Sequence, residues 1–139
     1  MIPDNIIDTF PHKMLVMHPS LLPKYRGSCP IQHAILNRDS ETGISVIEIS
    51  KGKFDAGDIL VRESGTMITD DTRFGDLSLQ LANQGGNALY QVLDKGIDSL
   101  KSFQSTKIDQ KTLGKATKAP IIKASFGEIK FSELASIDV

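Results

Sequence analysis

The chain has 139 residues, 40% hydrophobic and 24% charged, a balance that fits one folded domain and excludes a low-complexity or disordered segment. Sixteen Lys plus Arg against seventeen Asp plus Glu leave a net charge of −1, so any contact with phosphate backbones or anionic lipid must be local. The apolar runs are far shorter than the roughly 20 residues that cross a bilayer, and the single cysteine, Cys29, allows neither an intrachain disulfide nor a multi-thiolate zinc site.

In chain order, Met1-Ile2-Pro3-Asp4-Asn5 shows neither the basic start of a signal peptide nor an Arg-rich transit character. Met14-Leu15-Val16-Met17, ended by His18-Pro19, predicts a short buried strand, because proline stops it. Residues 20–28 hold Pro23, Gly27 and mixed charges and predict a loop at the strand's C-terminal end. The spacing of Ile31, Ala34, Ile35 and Leu36 predicts a helix over 28–38, with Ser28 as N-cap and Pro30 in the first turn. Ile44-Ser45-Val46-Ile47-Glu48-Ile49 is rich in β-branched residues and predicts a second buried strand. Strand, helix and strand in that order predict a right-handed parallel crossover.

Ser50-Lys51-Gly52-Lys53 forms a second polar loop, followed by Ile59-Leu60-Val61 and an edge hairpin to Met67-Ile68. Thr69-Asp70-Asp71-Thr72 supplies cap chemistry for a helix whose stripe of Phe74, Leu77, Leu81, Ala88 and Val92 repeats near 3.6 residues. Gly85-Gly86 allows a break inside it, and Gly96 ends it. Residues 102–118 are polar and Lys-rich and read as an exposed connection. A sheet with so few strands, and so few helices to cover it, predicts half of a larger domain.

His18-Pro19-Ser20-Leu21-Leu22-Pro23-Lys24-Tyr25-Arg26-Gly27, then Pro30-Ile31-Gln32, then Thr42-Gly43-Ile44 and Asp55-Ala56-Gly57 stand in an order that resembles the signature of the folate-dependent formyltransferases. Lys24-Tyr25-Arg26-Gly27 and Ala116-Thr117-Lys118-Ala119-Pro120 are most similar to the methionyl-tRNA branch of that family. Ser50-Lys51-Gly52-Lys53-Phe54 is one residue longer than the usual bacterial loop and resembles the mitochondrial kind, which implies a mitochondrial matrix location.

The resemblance implies that His18 and Asp55 are catalytic, that Ser50, Lys51, Gly52, Lys53 and Phe54 face the pterin of 10-formyltetrahydrofolate, and that Ser20, Leu21, Leu22, Pro23 and Arg26 contact the acceptor substrate. Its chemistry asks for such a pair. An amine attacking a formyl carbon must lose a proton while the leaving folate nitrogen gains one; a histidine titrates in the useful range, and a nearby carboxylate can orient it.

The resemblance also shows a departure. The family places an asparagine two residues before its histidine, donating to the developing oxyanion, and this chain has Val16, which donates nothing. Other residues have blander readings. His12 and His33 lack metal-ligand spacing, Cys29 reads as a packing residue, and Lys24 and Arg26 either steer a phosphate or are solvated loop charges.

The expected fold is therefore α/β, the C-terminal half of a three-layer, Rossmann-like formyltransferase domain with a mixed, mostly parallel sheet. Residues 1–105 form the partial catalytic domain, and residues 106–139 a linker toward a tRNA-binding domain. The expected function is formyl transfer from 10-formyltetrahydrofolate to the amine of initiator methionyl-tRNA, without a metal or a membrane. The alternatives are a non-catalytic remnant, or transfer to another amine such as glycinamide ribonucleotide or an amino sugar.

Overall fold

The structure, a computed structural model, describes residues 2–127. Its elements are α1 (Asp4–Ile7), β1 (Leu15–His18), α2 (Pro30–Leu36), β2 (Glu41–Glu48), β3 (Ile59–Met67), α3 (Phe74–Leu93) and α4 (Ile97–Ser105), followed by 3-10 turns at Gln110–Leu113 and Ala124–Gly127. The strands form one sheet in the order β1-β2-β3.

Both strand pairs are antiparallel, which corrects the expected parallel crossover. His18 faces Ser45 and Leu15 faces Glu48, so the chain re-enters the sheet at the end where it left. The cause lies in the connection. A parallel return must carry the chain back along the whole strand, but α2 has only seven residues, about 10 Å. The loop before α2 is also stitched to the near end of β2: Ser45 Oγ donates to the Ser20 carbonyl (2.8 Å) and accepts from the Leu22 amide (3.1 Å).

The expected edge hairpin is replaced by one continuous strand. β3 runs through Gly65 (φ +98°) and takes up extra residues opposite Thr42–Ile44 and Val46–Ile47, which are bulges. At α2 the cap is Cys29 rather than Ser28, without a side-chain bond, and Pro30 occupies the first helical position. Thr72 Oγ1 accepts from the Thr69 amide in a turn before α3, and Arg73 holds the cap position. α3 is unbroken. Gly85 lets it lie close on the sheet, since a Cβ there would stand 2.5 Å from the Met17 side chain. Gly96 (φ +65°) ends the last turn, and α4, which the polar sequence hid, starts there because Leu100 is buried.

Strand alternation builds two cores. Ile44 and Val46 join Leu77, Leu81, Ala88 and Val92, with Leu15 and Met17 packed alongside, between the sheet and α3. Ile47, Ile59 and Leu22, with Val16 beside them, cluster separately. α3 packs on all three strands and carries α2 and α4, so these helices share one face, while α1 and the loops lie on the other. This second face receives Val16 and His18.

Gly57 sits where the loop after β2 returns to β3. A Cβ there would lie 1.7 Å from the Glu48 carbonyl oxygen, which the Asp58–Glu48 backbone bond holds in place. Gly57→Ala is therefore expected to cost about 1–3 kcal/mol and to lower the melting temperature; an unchanged melting curve would refute this close approach.

Candidate active site

β1 ends at His18, and the loops 19–29 and 49–58 converge on it. The His18 side chain is 7% exposed and that of Asp55 20% exposed, with Nδ1 and Oδ2 3.7 Å apart. That separation is too long for a direct hydrogen bond. His18 Nε2 lies 2.9 Å from the Tyr25 carbonyl oxygen. A carbonyl only accepts, so Nε2 carries the hydrogen, and in the neutral ring Nδ1 turns a bare lone pair toward Asp55. An N–H or O–H group placed beside both can reach each of them.

Asp55 adopts the left-handed conformation (φ +49°), which aspartate tolerates better than most residues. Its Oδ2 accepts the Gly27 amide at 2.8 Å. Gly27 (φ +125°) must be glycine, because a Cβ would meet the Ala119 carbonyl oxygen at 2.7 Å. Asp55 also closes one wall of a cavity of about 400 Å³ lined by Ile2, Ile7, Val16, Ile47, Lys53 and Phe54. The size and largely apolar wall suit a flat heterocycle with a few polar anchors.

The residues expected to hold the folate divide. Ser50, Lys53 and Phe54 line this cavity, Phe54 being 61% exposed. Lys51 points elsewhere and pairs with Asp8, and Gly52 (φ +67°) only turns the chain.

Those expected to contact the acceptor mostly build the loop itself. Ser20 is buried and donates to the Lys24 carbonyl (2.6 Å), Leu22 and Pro23 are buried, and Leu22 accepts from Arg62 Nε at 3.1 Å. Leu21 and Pro23 border a larger polar cavity of about 480 Å³, which contains neither His18 nor Asp55. The imidazole and carboxylate locate the candidate chemistry better than volume does. The Arg26 guanidinium is held by Gln110 Oε1 (3.0 and 2.6 Å).

Gln110 was missed in the sequence, as was the packing of residues 108–119. Ile108 bridges to Ile59, and residues 117–119 pair with the backbone of 23–29, including a parallel bridge between Arg26 and Lys118. The connection is mostly exposed, as expected, but it is pinned to the site through Gln110 and these backbone bonds. A glutamine in a polar run gives no sign that it will be buried. The expected linker from residue 128 onward lies outside the described residues.

Around the loop, burial raises the Tyr25 phenol, and Asp39 adds to this against the bond that Asn37 donates to its hydroxyl. Burial alone would lower Lys24, but its bond to Asp39 (2.7 Å) and that residue's charge raise it overall. The bond to Asp58 raises Lys107 despite partial burial, with Glu48 adding to it. All three hold their protons to higher pH when folded. Their contribution to stability is thus complete below the ordinary values of 10.0 (Tyr) and 10.5 (Lys) and is lost as pH rises through the folded values. The melting temperature is expected to fall as pH climbs above 10.0, while tyrosine ultraviolet absorbance reports late ionisation; a stability that holds through that range would contradict it.

A family model described as formyl transferase matches residues 1–93. The methionyl-tRNA formyltransferase of Sulfurihydrogenibium sp. (strain YO3AOP1) is 38% identical over 137 residues, covering 97% of this chain and 41% of that protein. The chain thus spans about two fifths of the length of such curated relatives. Among solved structures, HypX from Aquifex aeolicus in complex with tetrahydrofolic acid aligns with a TM-score of 0.70 at 17% identity, over 94% of this chain and 21% of that one. Phosphoribosylglycinamide formyltransferase from Bacillus halodurans aligns with a TM-score of 0.55 at 22% identity, over 61% of this chain and 43% of that one. At these identities the structures speak for the fold alone. With two thirds of its length matched by the family model and its His18 and Asp55 side chains brought together, the chain belongs to the formyl transferase family.

Proposed function

We propose that the protein transfers a formyl group from 10-formyltetrahydrofolate to the amine of methionyl-tRNA. The observation that carries this is the His18–Asp55 pair, 3.7 Å apart beside the apolar-walled cavity. The names of the curated relatives favour the tRNA acceptor. In this reading the acceptor amine attacks the formyl carbon and its nitrogen gives up a proton to His18 Nδ1. The tetrahedral intermediate then collapses: the carbon–nitrogen bond to the folate breaks, and the proton passes to the departing folate nitrogen. The Tyr25 carbonyl orients the ring, and Asp55 accepts from the proton-bearing group beside Nδ1. The cavity lined by Val16, Ser50, Lys53 and Phe54 would hold the pterin, its apolar wall taking the ring and Ser50 and Lys53 supplying polar anchors.

Residues 1–105 then act as the C-terminal part of the catalytic domain, and residues 106–139 as the linker toward a tRNA-binding domain. A mitochondrial location belongs to the same proposal, rests on the loop 50–54, and is tested by fractionating the source cells. The function is tested by incubating the protein, as its source expresses it, with 10-formyltetrahydrofolate and each of methionyl-tRNA, glycinamide ribonucleotide and an amino sugar nucleotide. Formylmethionyl-tRNA is the expected product. Transfer to another amine alone would reassign the acceptor. Val16, where the family resemblance asks for a donor, favours a non-catalytic remnant as the second reading, and absence of transfer to all three would establish it.

A further inference from the structure

We propose that Gln110 is a positioning residue of this site, holding the Asp55 turn so that the carboxylate faces His18; this rests on the proposed roles of His18 and Asp55. Gln110 is 2% exposed although its neighbours in sequence are polar and exposed. Its amide nitrogen donates to the Asp55 carbonyl (2.9 Å) and the Gly57 carbonyl (2.7 Å). Its amide oxygen accepts from Arg26 Nε (3.0 Å) and a terminal guanidinium nitrogen (2.6 Å).

Every polar position of the side chain is used, and in one orientation only. Carbonyls accept and a guanidinium donates, so a flipped amide would set oxygen against oxygen and nitrogen against nitrogen. The amide therefore joins the two halves of the site. One half is the turn carrying Asp55, in its left-handed conformation (φ +49°). The other is Arg26 with its neighbours Tyr25, whose carbonyl fixes His18, and Gly27, whose amide meets Asp55 Oδ2 at 2.8 Å. Gln110 lies beyond the residues 1–93 that the family model covers, and the Ile59–Ile108 bridge and the Asp109 cap on the Lys111 amide hold it in place. Without its two donations the Asp55 and Gly57 carbonyls are free to turn, and the carboxylate drifts from Gly27 and His18.

The test compares Gln110→Ala and Gln110→Glu with wild type and with His18→Ala, in the protein as its source expresses it. Gln110→Glu keeps the shape and the Arg26 contact but sets an acceptor against the two carbonyls. Positioning predicts that kcat falls roughly ten- to hundredfold while KM for 10-formyltetrahydrofolate changes by less than about threefold. It also predicts that the Gly27 amide proton, seen by glycine-selective nitrogen labelling, moves toward its frequency in Asp55→Asn, with melting behaviour retained. Wild-type kcat and an unmoved Gly27 resonance in both variants would overturn the proposal. Loss of folding in both would also overturn it, assigning Gln110 to the fold. If His18→Ala turns over normally, the catalytic reading fails instead; a shifted Gly27 resonance in the Gln110 variants would then uphold the geometry alone.

Discussion

His18→Ala is expected to lower the rate of formyl transfer by roughly 10²–10⁴-fold, the usual contribution of a positioned general acid or base. The reason is local. Nε2–H is committed to the Tyr25 carbonyl, so only Nδ1, 3.7 Å from Asp55, is available to carry the proton. Asp55→Asn should cost less. Its amide oxygen can take the place of Oδ2, which both accepts from Gly27 and faces Nδ1, whereas the negative charge is lost. Steady-state kcat and KM of both variants check this, with the loss expected in kcat. Near wild-type rates in both would remove the pair from the mechanism.

Val16→Asn is expected to raise kcat, by up to roughly a hundredfold, because one well-placed oxyanion donor is worth about that much or more. Val16 and His18 are two apart on β1 and point to the same face, and Val16 borders the cavity that Asp55 closes. A side chain at 16 can therefore reach toward the bond that reacts. Val16 is only half-buried, packed against Leu22, Ile47 and Ile59, so an asparagine amide keeps access to the cavity and the desolvation cost is reduced. The gain should appear in the chemical step, with folate affinity nearly unchanged. Melting temperature measured beside the rate separates a folding defect from a chemical one. A folded, folate-binding variant with no gain, beside a wild type of ordinary activity, would show that another group stabilises the oxyanion; no turnover in either form points to a remnant.

Much of the architecture is written in local patterns. Residues 44–48 of the β-branched run lie in a strand buried on both faces, and Leu77, Leu81, Ala88 and Val92 form the inner face of α3, though Phe74, expected in the same stripe, is 49% exposed. α4 escaped notice because its buried residue, Leu100, lies among exposed polar ones, which leaves too little apolar periodicity to read. The direction of β2 was misjudged for a different reason. Side-chain alternation is the same for parallel and antiparallel strands, and direction is set by where the connecting loop is pinned, here at Ser45.

The candidate site divides in the same way. The amino-acid sequence by itself determined the family resemblance, the prominence of His18 and Asp55, and the absence of a donor at Val16, because these are identities at spaced positions. Only the tertiary structure decided which imidazole nitrogen is free, that Arg26 serves Gln110 instead of facing a cavity, and that residues 108–119 brace the site. Gln110 is buried through hydrogen bonds to positions 26, 55 and 57, and bonds across such distances along the chain leave no local period or composition to mark them.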